Sequence, residues 1–375
     1  MSTPPDSPDK RDRVDRGTLL KRTAGIALGT SLYSIGDPLT VLAAQMTPKA
    51  LKPDGDLAYF NWAQYIDPKL LRGFEKAYGV KVNESNFTNM ETMLAKVRAG
   101  VKYDVAFPEA QTAAQLVQAK LLAPLDHAKL TNWNQVNSAF HNPWYDAGAK
   151  YTVPYAIWTT GIAYRTDKVK GMTGSWNDLW NHPEAAKHTY LLDDFREVIG
   201  MGLLKTGTKD VNSTSSSSVG KSQAEVLKLK PRLRGFTSLN TEMANGTSWL
   251  THMWSGTVYQ ALLAMKHPET LKYQVNKEGI PVGSDTMVVF KNAPHPNTAT
   301  LFVDWMLRPE NSSANVKQIG YPMMTTAGLK TYGELTKKYP WLKVTTAEVE
   351  KGLRFKPQDP KALQLWNTAW SKIRA

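Results

Sequence analysis

Apolar and polar positions alternate in blocks along this chain, and the period of each block points to an element. Residues 57–60 form a short apolar run, read as a buried strand. A polar-aromatic tip follows: Asn61, Trp62, Ala63, Gln64 and Tyr65. Leu70, Leu71, Phe74 and Tyr78 then recur at helical spacing, with Asp67 as N-cap, Pro68 at the first helical position and Gly79 as the stop. The rest of the chain is organised around this stretch, residues 59–80. A short strand is expected at 80–82, and a helix capped by Asn89 carries Met93, Leu94 and Val97. Residues 103–107 read as a third strand with its tip at 108–111, followed by a helix holding Ala114, Leu116 and Val117. Residues 151–164 are strand-like throughout despite Pro154, and a mid-chain segment of that length suits a connection between two lobes. A second set of units follows. It has a strand at 189–192 opening a helix at 193–197, a Ser-rich surface loop at 212–220, a helix at 223–230 and an aromatic tip at 252–256. A strand at 282–290 returns toward the first lobe, and a helix at 297–307 brings Phe302, Trp305 and Met306 to the core. Strands separated by helices of this length predict an α/β fold with a parallel sheet and right-handed crossovers.

The first 44 residues follow a different order. Residues 1–16 are polar and charged, 24–35 are apolar, and 41–44 are small. That is the order of an export signal, with cleavage expected near Ala43 or Ala44. Arg16 through Lys21 resembles a twin-arginine signal with Gly17 in place of the second arginine, so a Tat-like or a Sec route fits. The chain of 375 residues, 42% hydrophobic, suits two domains or one large one with a sizeable core. There is no cysteine, which excludes disulfides, thiolate metal sites and cysteine nucleophiles. The net charge is +13, but the cations are scattered. The densest group, Lys228, Lys230, Arg232 and Arg234, has no interleaved aromatics, so a solvated surface is expected rather than nucleic-acid binding. The seven histidines lack metal-ligand spacing, no metal or cofactor is expected, and residues 215–222 lack the first glycine of a phosphate loop.

The candidate chemistry gathers at strand-to-helix tips, where open α/β sheets bind ligands. Asp194 and Glu197 are three apart and share a helical face, although Asp-x-x-Glu is equally a capping box. If Asp193 is the cap, Asp194 and Glu197 are free. Asp285 and Glu109 are two further acids, and Trp62, Tyr65, Trp254 and Tyr321 are aromatics at such tips. Rings attract a cation through their quadrupole and carboxylates accept charge-assisted hydrogen bonds, so the set suits an organic cation.

The stretches YFNWAQYI, NMETMLAKVRAG, YDVAFP, KLTNW, VPYAIW, SWNDLW, LLDDFREV, MWSG, KEG, LRPE and IGYP, in this order, resemble the periplasmic polyamine-binding proteins of bacterial spermidine/putrescine ABC importers. The resemblance runs from about residue 57 to the C-terminus. It implies a two-lobed, type II periplasmic binding-protein clamp with a hinge and a ligand cleft between the lobes. Lobe 1 is expected to comprise 55–157 plus 284–328, and lobe 2 158–283 plus 329–375. It implies aromatic walls at Trp62 and Trp254, cleft rings at Tyr65 and Tyr321, and amine-accepting acids at Asp194, Glu197 and Asp285. Ala63 replaces the usual Ser or Thr, Glu109 and Gln111 hold two polar positions where Ser and Tyr or Asp are commoner, and the glutamine that the family often has near Phe355 finds no aligned counterpart. Gly283 stands where the family places a ring, which is expected to leave room beside Asp285. The implied function is that of a monomeric, non-enzymatic periplasmic protein that captures a polyamine and delivers it to a membrane permease. Another cationic or zwitterionic metabolite on the same fold is one alternative, and a carbohydrate-active enzyme with Asp194 and Asp285 as paired carboxylates is another.

Overall fold

A computed structural model describes residues 51–375, so the expected export segment at 1–44 lies outside the described residues. Nine strands form the sheet: β1 (Leu57–Trp62), β2 (Val82–Phe87), β3 (Val105–Ala106), β4 (Thr152–Arg165), β5 (Thr189–Leu191), β6 (Leu233–Phe236), β7 (Leu250–Trp254), β8 (Leu271–Gln274) and β9 (Val282–Val289). Their order is β2-β1-β3-β9-β4-β7-β5-β6, with β8 also on β4. The long strand β4 joins two half-sheets. Its residues 152–159 pair with β9, and residues 160–164 pair with β7. A register shift between Pro154 and Ala156 accommodates the proline, whose nitrogen cannot donate to the ladder.

Within each half the local βα units are parallel, β1 with β2 and β3, and β5 with β6 and β7. The expectation of a wholly parallel sheet is corrected at the join. There β9 runs antiparallel to β3 and β4, and β7 and β8 run antiparallel to β4. The chain crosses between the halves in extended form, which reverses strand direction without a helical crossover.

The helix Pro68–Tyr78 forms as its sequence dictates. Asp67 accepts the Lys69 N–H at 2.8 Å, and Gly79 closes the helix in the left-handed region at φ 68°. Asn89 likewise caps Met90–Arg98. The second strand is longer and later than expected, an edge strand with exposed polar positions. Only the first part of the Ser-rich run is loop: residues 212–215 are non-helical, and Ser215 caps a helix, Ser216–Leu229, that begins inside the run. Val219, Ser222, Val226 and Leu229 recur at helical spacing and bury one face against the helix Phe195–Lys205, where Ser222 Oγ donates to the Ile199 carbonyl at 2.8 Å. That apolar period outweighs the weak helix preference of serine.

The expected boundary at 157/158 falls two residues before β4 changes partners. The one at 328/329 falls inside the helix Thr326–Lys338, which packs on Pro309–Ile319. Among the described residues no helix is long and apolar enough to cross a membrane.

Candidate functional site

The carboxyl ends of β1, β3, β5 and β7 converge on one cavity of about 350 Å³. The tip after β1 supplies Trp62 and Tyr65. Its turn needs a left-handed residue at Gln64 (φ 59°), a conformation uncommon outside glycine that recurs at functional sites. The Gln64 carbonyl accepts from Gln260 Nε2 of the opposite half at 2.8 Å. Trp62 and Trp254 meet across the cleft edge-to-face with centroids 5.8 Å apart, and Trp158 lies 6.5 Å from Trp254. Tyr65 packs edge-to-face on Tyr321 at 5.5 Å, and Tyr321 Oη is fixed by the Thr257 N–H at 3.2 Å.

Asp285 sits at the base of this box. One carboxylate oxygen accepts from Tyr65 Oη at 2.5 Å, and the other is buried with no protein donor among the described residues. Burial pushes its pKa up to about 7, partly offset by the hydrogen bond from Tyr65. Glu109 also lines the cavity. Its pKa is raised by burial and by the charges of Asp194 and Asp285, and Gln111 donates to its Oε2. Among the described residues no Lys, Arg or His lines this cavity. Ring faces and acids in a desolvated space favour a cation that brings its own hydrogen-bond donors.

Six expected site residues therefore line one cavity: Trp62, Tyr65, Glu109, Trp254, Asp285 and Tyr321. Three do not. Gln111 lies in the first turn of the helix Ala110–Gln118 and faces an adjoining cavity. Asp194, not Asp193, caps the helix Phe195–Lys205, accepting from the Arg196 and Glu197 N–H groups at 2.9 and 3.0 Å. Asp193 instead lines the cavity and pairs with Arg374 at 3.1 Å. Glu197 stands behind the aromatic wall. Its Oε1 accepts from Trp254 Nε1 at 3.0 Å and Thr160 Oγ1 at 2.9 Å, which fixes the indole. Burial and then the Asp194 charge raise its pKa to about 8. His252, 3.9 Å from the second Glu197 oxygen, is held neutral by burial with its pKa lowered to about 3.

Beside Asp285 the structure corrects one expectation. Gly283 leaves no open space, because Trp158 is its cross-strand partner and lays its indole there. A Cβ on Gly283 would come within 2.0 Å of Trp158 Cζ2. The ring missing from β9 is supplied by β4. Burial is continuous along 152–163 of β4, so no alternation singles out Trp158, and its pairing with Gly283 depends on register across 125 residues of chain.

Comparisons with known proteins agree with this architecture. Residues 69–343 match the family described as bacterial extracellular solute-binding protein. Spermidine/putrescine-binding periplasmic protein 1 of Haemophilus influenzae is 30% identical over 340 residues, which is 89% of this chain and 93% of that protein. The putrescine/agmatine-binding protein of Pseudomonas aeruginosa is 26% identical over 354 residues, 90% of this chain and 96% of that protein. The structure of a putative spermidine/putrescine ABC transporter from Listeria monocytogenes superposes with a TM-score of 0.78 at 27% identity, covering 85% of this chain and 98% of that one. These relatives are transport proteins rather than enzymes, and the two half-sheets with a cleft between them are the lobes of a periplasmic binding-protein clamp. A nine-stranded sheet joined by one long strand, with an aromatic, acid-based cleft at the strand ends, thus places this chain among the bacterial extracellular solute-binding proteins.

Proposed function

We propose that the protein captures a linear polyamine of the putrescine or spermidine type and delivers it to an ABC permease of the cytoplasmic membrane. The observation that carries this reading is the buried, unpartnered Asp285 oxygen inside an aromatic box without a cation of its own. An alkyl ammonium satisfies that oxygen while its methylenes pack on Trp62, Trp158 and Trp254. The names of the relatives support the same ligand class. Trp62, Tyr65, Glu109, Trp254, Asp285 and Tyr321 form the contact set. Asp194 and Glu197 act on it from behind, and Gln111 acts through Glu109. The lobes divide within β4 where its partner changes from β9 to β7. The protein works as an exported monomer, without nucleic acid, after cleavage near Ala43 or Ala44.

A thermal-shift series with butylamine, 1,4-diaminobutane, spermidine and spermine tests the ligand class. A ligand that binds only the folded state raises the melting temperature with concentration. At least one of the three polyamines is expected to do so more strongly than butylamine. Overlapping melting curves for the whole series would overturn the reading.

A further inference from the structure

The cleft has a second chamber. A cavity of about 260 Å³ adjoins the first, and Trp158 lines both. The two chambers differ in charge. Among the described residues, the first is lined by Glu109, Asp193 and Asp285 and by no basic residue, while the second is lined by no carboxylate and by a single charged side chain, Arg354. Its other polar lining groups include Gln111, Asn142, Tyr145 and Ser284, all neutral as lining groups. Arg354 is half-buried and donates one hydrogen bond, from Nη2 to the Val349 carbonyl at 2.6 Å. Among the described residues no carboxylate lies within ion-pair distance of it. A guanidinium has five donors in a planar fork, so most of its donor capacity remains for an acceptor in the chamber.

We infer that this second chamber is a carboxylate-accepting subsite, and that the cleft takes linear aminocarboxylates with the ammonium at Asp285 and the carboxylate at Arg354. An ammonium placed in the second chamber would meet a like charge and no acid, whereas a carboxylate there gains a fork of charge-assisted hydrogen bonds. The spacing agrees. Leu353 pairs with the start of β9, where its carbonyl accepts from the Val282 N–H at 3.0 Å. Asp285 is three residues farther along the strand, so the two backbone positions are roughly 10 Å apart at about 3.4 Å per residue. The adjoining chambers, with Asp285 on the wall of one and Arg354 on the wall of the other, suit a short linear chain charged at both ends. Trp158 lies between, positioned to pack on the methylenes. This inference uses the same cleft as the polyamine reading and does not depend on it.

Isothermal titration of the full mature protein with 5-aminopentanoate, pentylamine and 1,4-diaminobutane separates the two. Pentylamine keeps the ammonium and the chain and lacks only the carboxylate. We expect 5-aminopentanoate to bind at least about tenfold more tightly than pentylamine. Arg354→Gln should erase that difference while shifting the diamine by less than about threefold, and Arg354→Lys should restore part of it. Absence of 5-aminopentanoate binding, equal affinity for it and pentylamine, or equal losses for all three ligands in Arg354→Gln overturns the subsite. If Arg354→Gln melts at the wild-type temperature, misfolding is not the cause of any loss, and should it unfold, Arg354→Lys and the wild-type ligand ratio decide instead. A missing response to 1,4-diaminobutane, spermidine and spermine alike overturns the polyamine reading and leaves the subsite standing.

Discussion

At the scale of single residues, Asp285 carries the most chemistry. Burial raises its pKa to about 7, and a cation bound to it favours the ionised form. Below that pH, binding must expel the proton, so affinity falls as the medium becomes more acidic. Amine affinity is therefore expected to rise between pH 5 and 7, by up to about tenfold per unit, and to level off above. Titrations in buffers of different ionisation enthalpy should show proton release near pH 6 and almost none at pH 8.5. A pH-independent affinity, or a site in which Asp285→Asn binds as wild type, would show that Asp285 is not the acceptor. Without ligand the same raised pKa has the opposite consequence for stability. The folded state holds the proton more tightly than the unfolded chain, so this residue's contribution favours folding at low pH and declines as pH rises from the usual carboxylate range to about 7. The cavity residues legible from local pattern were those at a strand end followed by a helix, Trp62, Tyr65, Glu109 and Trp254, whereas Asp285 lies inside β9. Trp158 and Arg354 were not legible, because each reaches the cleft through pairing with distant chain, β4 on β9 and the 353 segment on β9.

At the scale of elements, the helix Phe195–Lys205 shows where local reasoning stops. Its sequence predicts an acidic N-terminus, and that is found, but two adjacent aspartates leave the division of labour open. The structure assigns the cap to Asp194 and leaves Asp193 to the cavity wall. The serine run at 215–218 was misread for a related reason. Serine favours caps and turns, so four in a row look like loop, yet only Ser215 caps and the buried face further on fixes a helix. The role of Asp194 can be checked by separating cap from charge. Asp194→Ala loses the acceptor for two N–H groups and should cost about 1–2 kcal/mol of stability, while Asp194→Asn, itself a good cap, should cost less than about half of that. By this reading both variants retain amine affinity per folded molecule within about tenfold, because Asp194 does not line the cavity. A loss in Asp194→Asn as large as that in Asp285→Asn, measured by titration of folded protein, would place Asp194 among the ligand's direct acceptors.

At the scale of the whole molecule, the question is what holds the lobes together. Several contacts cross the cleft. Trp62 meets Trp254, Gln260 donates to the Gln64 carbonyl, and Arg196 of the second lobe stands 3.5 Å from Glu91 of the first. Against them stands a cost of closure. With the lobes in contact no protein donor among the described residues reaches one Asp285 oxygen, and Glu109 has its pKa raised by burial and neighbouring acids. A buried acceptor left without a donor costs about 1–3 kcal/mol, comparable with the few cross-cleft hydrogen bonds. A bound ammonium removes that cost and adds contacts from both lobes, so it binds the closed form more tightly than the open one. A differential of about 5.5 kcal/mol takes a two-state equilibrium from 1:99 to 99:1, and a smaller one shifts it in proportion. Small-angle scattering is therefore expected to show a decrease in radius of gyration when saturating 1,4-diaminobutane is added to the wild type. Asp285→Asn should be more closed when empty, because a neutral amide is less costly to bury than a carboxylate, and should change less on addition of the diamine. Arg196→Ala should open the empty protein further by removing a cross-cleft partner. Superimposable profiles with and without ligand, in a protein that titration shows to be saturated, would mean that the lobes are held by their own contacts and that capture proceeds without hinge closure.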